Sequence, residues 1–342
     1  MGSNSLSTVA SDGRLSRRGE RLRALLPPAS FFGIVLGLAG LANVWRAAHS
    51  LWNLPAAAGE ALFATAAVAW LVIAGLYGLK WIVASREAAA EAEHPVQCCF
   101  IGLGGVATLL IAQGALPWSR SLAVTLFALG GIFVLAFGLW RTGLLWRGER
   151  DPGATTPILY LPMVAGGFVS ATTAALLGWP DWGQLMFGAA LFSWMAIESV
   201  LLHRLYTGPT LPPAVRPTLG IQLAPPAVGA VCYLAVGPGA PDLIVRALLG
   251  YALLQALLLV RMGRWIAEQP LAPSWWAFTF GATALAAAPM RMALHGDAGA
   301  LAVLAPWLFA VANLVVLSVA VGTARLAVAR LRAPSSHQQS GA

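Results

Sequence analysis

Two carboxylates stand inside long apolar runs of this chain. Glu60 lies in the run Ala57–Val83 and Glu198 in the run Leu185–Leu205. An ionisable group within a membrane-length apolar run is costly to place and marks either a functional site or a structural bond. Arg261, near the end of the run Leu243–Trp265, is the candidate partner of Glu198. Glu60, Glu198 and Arg261 are thus candidate intramembrane charges, open at this point to a structural or a functional role. The histidines, His49, His94, His203, His295 and His337, are scattered and lack the spacing of metal ligands. The Gly-rich stretch at 102–105 sits in an apolar run without a phosphate-cradling continuation. No catalytic, metal, cofactor or nucleotide constellation is formed, so neither an enzyme nor ATP-driven transport is expected.

The elements that hold these charges are membrane helices. The chain has 342 residues, 58% hydrophobic and 10% charged, with a mean hydropathy of +0.74. Soluble domains carry about 25% charged residues, and a membrane span needs roughly 20 mostly apolar ones. Only helices and closed barrels satisfy their backbone groups in hydrocarbon. The runs here are continuous and not alternating, which selects helices. Ten spans are predicted: Phe31–Trp45, Ala57–Val83, Val96–Leu116, Leu122–Leu145, Ile158–Leu177, Leu185–Leu205, Leu219–Val236, Leu243–Trp265, Trp275–Leu294 and Leu301–Leu326. Cys98, Cys99 and Cys232 fall in apolar runs and are expected as buried free thiols.

Most of the 21 Lys and Arg residues precede the first span or follow the even-numbered ones. That bias sets orientation. Both termini are expected in the cytoplasm, and the net charge of +8 reflects this rule and no nucleic-acid partner. Residues 1–27 read as a flexible basic tail without the apolar core of a cleaved signal, 28–328 as the ten-helix domain and 329–342 as a short tail.

A proline announces each odd-numbered span: Pro28, Pro95, Pro157, Pro217 and Pro273. Proline suits a first helical turn, so the chain reads as five repeated helical hairpins. The odd spans also carry small or kinking residues in mid-run, among them Gly33, Gly105, Pro162, Gly167, Pro225 and Gly281. Such residues serve close helix packing or leave a lumen open. No Asp or Glu lies within an odd span. Five helix N-termini at one face, each with about half a positive charge, then favour anions. The segment "WWAFTFGATALAAAPM", Trp275–Met290, raises the same choice between packing and lumen, because it sets Phe278 and Phe280 among small residues.

Five separated segments then carry a resemblance: "PPASFFGIVLGLAGLANVWR", "TTPILYLPMVAGGFVSA", "RPTLGIQLAPP", "GYALLQALLLVRMGRW" and "WWAFTFGATALA". In order, they resemble the tellurite-resistance/dicarboxylate transporter family, which includes TehA, the plant slow-type anion channels and the fungal malate permeases. The resemblance implies an all-α membrane fold in which five inner helices surround a pore, assembled as a homotrimer in the inner membrane. It implies that Phe280 occludes each pore, with Gly33 making room beside it and Phe278 packing sideways. Gly33, Gly105, Pro162, Gly167, Pro225 and Gly281 are expected to line the pore. The sequence departs from the family at Gly104 and Gly105, where a third-helix proline is common. It also departs at Gly167, in place of an asparagine, and at Arg264, in place of a proline. The function implied is passive passage of small inorganic or carboxylate anions. The alternative is a proton-coupled dicarboxylate or tellurite-resistance transporter.

Overall fold

The computed structural model describes residues 26–237, 241–297 and 299–332. Most of the expected N-terminal tail and the tail beyond residue 332 lie outside the described residues. The described chain is all helical and contains ten helices long and apolar enough to cross a membrane. They are Ala29–Trp52, Ala56–Val83, Gln97–Ala115, Arg120–Trp146, Pro157–Leu176, Pro180–Thr207, Pro213–Val236, Leu243–Ile266, Pro273–Leu294 and Ala300–Ala329. The last continues as helix to Arg332, beyond the expected domain end at 328.

Local sequence explains the boundaries. Proline occupies the first turn of the fifth, sixth, seventh and ninth spans, where its missing N–H has no helical partner to lose. Ser119 caps the fourth span by accepting from the Leu122 amide, and Asp242 caps the eighth by accepting from those of Ile244 and Val245. Gly178 and Gly296 follow the fifth and ninth spans with φ of +87° and +89°, the left-handed conformation that glycine adopts without a Cβ penalty.

The odd spans share a second local trait. Each opens in 3₁₀ geometry: Ala29–Phe31, Gln97–Gly102, Pro157–Tyr160, Pro213–Leu223 and Pro273–Trp276. In the fifth span a π-turn, Leu161–Ala165, follows and contains Pro162. In the seventh, Pro225 sits where the 3₁₀ stretch becomes α-helix at Ala224. These prolines therefore sit at changes of helix type, a recognised cause of helix irregularity.

Burial divides the spans by parity. In their most apolar stretches the odd spans are 61–78% buried and the even spans 17–33%. The even spans expose Leu71, Ile82, Ile132, Leu185, Phe192, Val260 and Trp307, an apolar surface suited to lipid. Each odd span packs against the even span that follows it. Consecutive odd spans also touch, and the ninth touches the first, so their contacts close a ring. Lipid tails are as apolar as leucine, so close fit and not the hydrophobic effect holds such helices together. Small residues provide that fit. A Cβ on Gly105 would meet the Gly130 carbonyl oxygen at 3.0 Å, and one on Gly130 would meet the Gly105 oxygen at the same distance.

A short polar helix, Ser85–Glu93, joins the second and third spans. Its Glu91 accepts from Lys80 Nζ at 2.6 Å and from the Ala29 amide at 2.7 Å. One carboxylate thus ties the end of the second span to an unpaired N–H at the start of the first. Cys98, Cys99 and Cys232 are buried and free.

Candidate functional site

Two cavities run through the ring of odd spans. The first lies towards their N-terminal ends. Its wall includes Ser30 and Gly33 of the first span, Phe100 of the third, Tyr160 and Phe168 of the fifth, Thr218 and Pro225 of the seventh, and Trp276 of the ninth. The second lies towards the C-terminal ends, between Gly40, Asn43, Gln113, Val169, Thr172, Val231, Thr283 and Arg291. Every residue lining either cavity belongs to an odd span. Two residues line both cavities, Val228 and Phe280. Phe280 thus forms part of the wall of both.

Beyond the second cavity a wider vestibule opens, lined by Asn43, Arg46, Ser50, Gln113, Arg291 and His295 among others. Its volume is about 350 Å³, against about 40 Å³ for the cavity behind Phe280. Asn43, Gln113 and Arg291 line both, so they mark the narrowing. No Asp or Glu lines either cavity or the vestibule.

The ninth span places these groups by simple periodicity. Phe280, Thr283, Ala284, Ala287 and Arg291 face the second cavity, a stripe that returns every three to four residues as an α-helix requires. Phe278 falls off that stripe. Its ring stacks on Trp275, with centroids 5.6 Å apart, and fits against Gly220, where a Cβ would stand 2.7 Å from Phe278 Cγ.

The predicted residues divide into two groups. Gly33, Pro225 and Phe280 lie on the cavity wall. Gly105, Gly167, Gly281 and Pro162 sit between helices instead. A Cβ on Gly105 would meet Val134 Cγ2 at 2.7 Å, one on Gly167 would meet Ala190 Cβ at 2.8 Å, and one on Gly281 would meet Leu223 Cβ at 3.0 Å. Pro162 lies against Gly102 and Gly138. The glycine beside the Phe280 ring is Gly40 and not Gly33. Gly33 faces Trp276 two turns earlier, at 3.4 Å from its Cβ.

The carboxylates also sort differently from expectation. Arg261 is exposed and is no partner of Glu198. Glu198 is buried and accepts from neutral donors. They are the Tyr160 hydroxyl, Trp194 Nε1 at 2.9 Å, Gln222 Nε2 at 3.1 Å, the Tyr251 hydroxyl at 2.5 Å and Gln255 Nε2 at 3.5 Å. These join the fifth, sixth, seventh and eighth spans. Glu60 instead pairs with Arg46 of the first span through two bonds of 2.8 and 2.9 Å. Arg46 also donates to the Gln113 and Gly114 carbonyls and lies 4.1 Å from the Phe63 ring centre.

Comparison with known proteins places the chain. The model of the SLAC1 family, described as voltage-dependent anion channel, matches residues 27–324. The chain belongs to the SLAC1 family. Among relatives, it is 36% identical over 260 residues to the tellurite resistance protein TehA homolog of Haemophilus influenzae, covering 76% of this chain and 79% of that one. It is 24% identical over 311 residues to the S-type anion channel SLAH3 of Arabidopsis thaliana, covering 86% of this chain and 48% of that one. It also shares 25% identity over 227 residues with an uncharacterized transporter of Methanocaldococcus jannaschii, covering 59% of this chain and 65% of that one. The SLAC1 family is a class of channels and transporters, so the ten helices are those of a multi-pass membrane protein and an anion-channel-like permease.

Proposed function

We propose that this chain passes small anions down their electrochemical gradient through the ring of odd spans, and that Phe280 closes that path. The reading rests most directly on one observation: two cavities walled only by odd spans adjoin at Phe280 and Val228. A ring in an apolar bore blocks ions by filling it and by keeping it dry, as hydrophobic constrictions do. Removing such a ring wets the passage.

Charge supports anions over cations. The lining carries no carboxylate and includes Arg291, unpaired among the described residues, while its Arg46 is balanced by Glu60 behind it. The N-terminal ends of five helices gather at the other mouth, each with about half a positive charge. The wall beside Phe280 is mostly apolar, so large anions that shed water readily pass ahead of small, strongly hydrated ones. The protein sits in the inner membrane with both termini in the cytoplasm, in keeping with its Lys and Arg bias. It functions as a homotrimer with one pore per protomer, as its family resemblance implies.

The test is a reversal potential. Purified protein in planar bilayers under a salt gradient reverses near the anion equilibrium potential. Reversal near the cation potential refutes the reading. Proton-coupled carriage of a dicarboxylate is the second reading, and one contact favours it. Tyr160 lines the first cavity and bonds Glu198, so a buried carboxylate stands one hydroxyl from the lumen. Uptake that requires a pH gradient and shows no unitary current would establish that alternative.

A further inference from the structure

Arg291 sits in the ninth span on the same helical stripe as Phe280, three turns further on at 3.6 residues per turn. It lines both the small cavity behind the ring and the vestibule outside it. The two lumen arginines differ sharply in their surroundings. Arg46 is neutralised by Glu60 and also donates to two carbonyls. Arg291 has no hydrogen bond or ion pair from its guanidinium to any of the described residues. A guanidinium cannot shed its charge in a protein, and charges within a membrane protein pair with something or face water.

Asn43 and Gln113, which line both spaces with it, keep hydrogen-bond donors in reserve. Asn43 Nδ2 donates to Gln113 Oε1 at 3.1 Å, and Gln113 Nε2 donates to Thr173 Oγ1 at 2.9 Å. Each of these amides spends one N–H in this chain of bonds and keeps a second. The nearby hydroxyls are committed elsewhere. Thr283 donates to the Phe280 carbonyl and Thr172 to that of Phe168, both at 2.9 Å. The free donors at the narrowing are thus the guanidinium fork and two amide N–H groups.

We propose that Arg291, Asn43 and Gln113 form an anion-binding site, a resting place between the vestibule and Phe280. The inference deepens the anion-passage reading and rests on it. The site takes one monovalent anion. A single guanidinium balances one negative charge, whereas a divalent anion leaves an excess charge in a narrow, weakly polar space. The fork accepts either a spherical anion or two coplanar oxygens.

Bromide tests the site without any ion flow. Crystals of the wild-type protein grown in bromide should show anomalous density within hydrogen-bonding distance of the Arg291 guanidinium. Crystals of Arg291→Gln should lack it, and those of Arg291→Lys should keep it weakly. Wild-type crystals without bromide at Arg291 overturn the proposal. Conductance supplies the second arm. In a Phe280→Ala background, Arg291→Gln should lower unitary anion conductance roughly tenfold at low salt, because a focused charge raises local ion concentration. The deficit should shrink in concentrated salt as screening grows. An unchanged low-salt conductance in a channel that passes anions also overturns it. A Phe280→Ala protein that passes no anions counts against passage, and the bromide density then decides the site alone.

Discussion

The ring of Phe280 rests against Gly40 of the first span, where a Cβ would come within 3.2 Å of its Cδ2. The same Cβ would collide with the Thr283 hydroxyl. That hydroxyl donates to the Phe280 carbonyl, so both sides of the contact converge on the residue assigned as the gate. One turn earlier, Gly37 meets Thr279 and Trp276 in the same way. Glycines of the first span therefore let the ninth span approach closely and leave the ring its place.

Gly40→Ala should lower stability by about 1–3 kcal/mol, the usual cost of overpacking. Adding Thr283→Ala should restore part of the loss, because the largest clash is with its hydroxyl. A double-mutant cycle on the thermal midpoint of detergent-solubilised protein measures the coupling. Strict additivity would show that the two residues do not compete for the same space.

Glu198→Gln should destabilise the protein without changing its anion preference. The carboxylate accepts from donors on four spans, and an amide presents two N–H groups where only acceptors fit. Buried polar groups left unsatisfied cost about 1–3 kcal/mol each. Thermal unfolding and bi-ionic potentials on the same preparation separate the two readouts. Intact stability with an altered pH dependence of transport would instead make Glu198 a proton-coupling group.

Much of this architecture was legible in the sequence. Ten apolar runs and their punctuating prolines give the spans, and the parity of small residues anticipates which spans are buried. The short helix Ser85–Glu93 escaped because it is polar and held by one tertiary carboxylate, Glu91. The assignment of glycines was the harder problem. A glycine in an inner helix serves a lumen or a neighbour equally well, and only the facing residue decides. Val134 opposite Gly105 and Ala190 opposite Gly167 make those two packing sites. Charge alone pairs Glu198 with Arg261, yet its five donors are neutral, and all but Trp194 come from other spans. Arg291 did have a signal. Counting three turns from Phe280 along the ninth span puts it on the lumen stripe.

Glu60→Gln should raise anion conductance at low salt. Glu60 offsets Arg46 at the vestibule, and the carbonyls of Gln113 and Gly114 still hold the guanidinium once the carboxylate is gone. The vestibule then carries two uncompensated positive charges where the wild type carries one, and their effect is screened above about 0.1 M salt. Unitary conductance against salt concentration, in a background where the pore is open, checks this. Equal conductance at every concentration would show that Arg46 does not influence the ion path.

The central claim is that one ring closes the path, and paired alanine substitutions test it most directly. Phe280→Ala should give a large basal anion current in bilayers, while Phe278→Ala, whose ring stacks on Trp275 away from the cavities, should remain as silent as the wild type. The stability loss for Phe280→Ala should fall below the roughly 3–5 kcal/mol of a fully packed core phenylalanine, because the ring has cavities on both sides. A correctly assembled Phe280→Ala protein that carries no current would contradict the account.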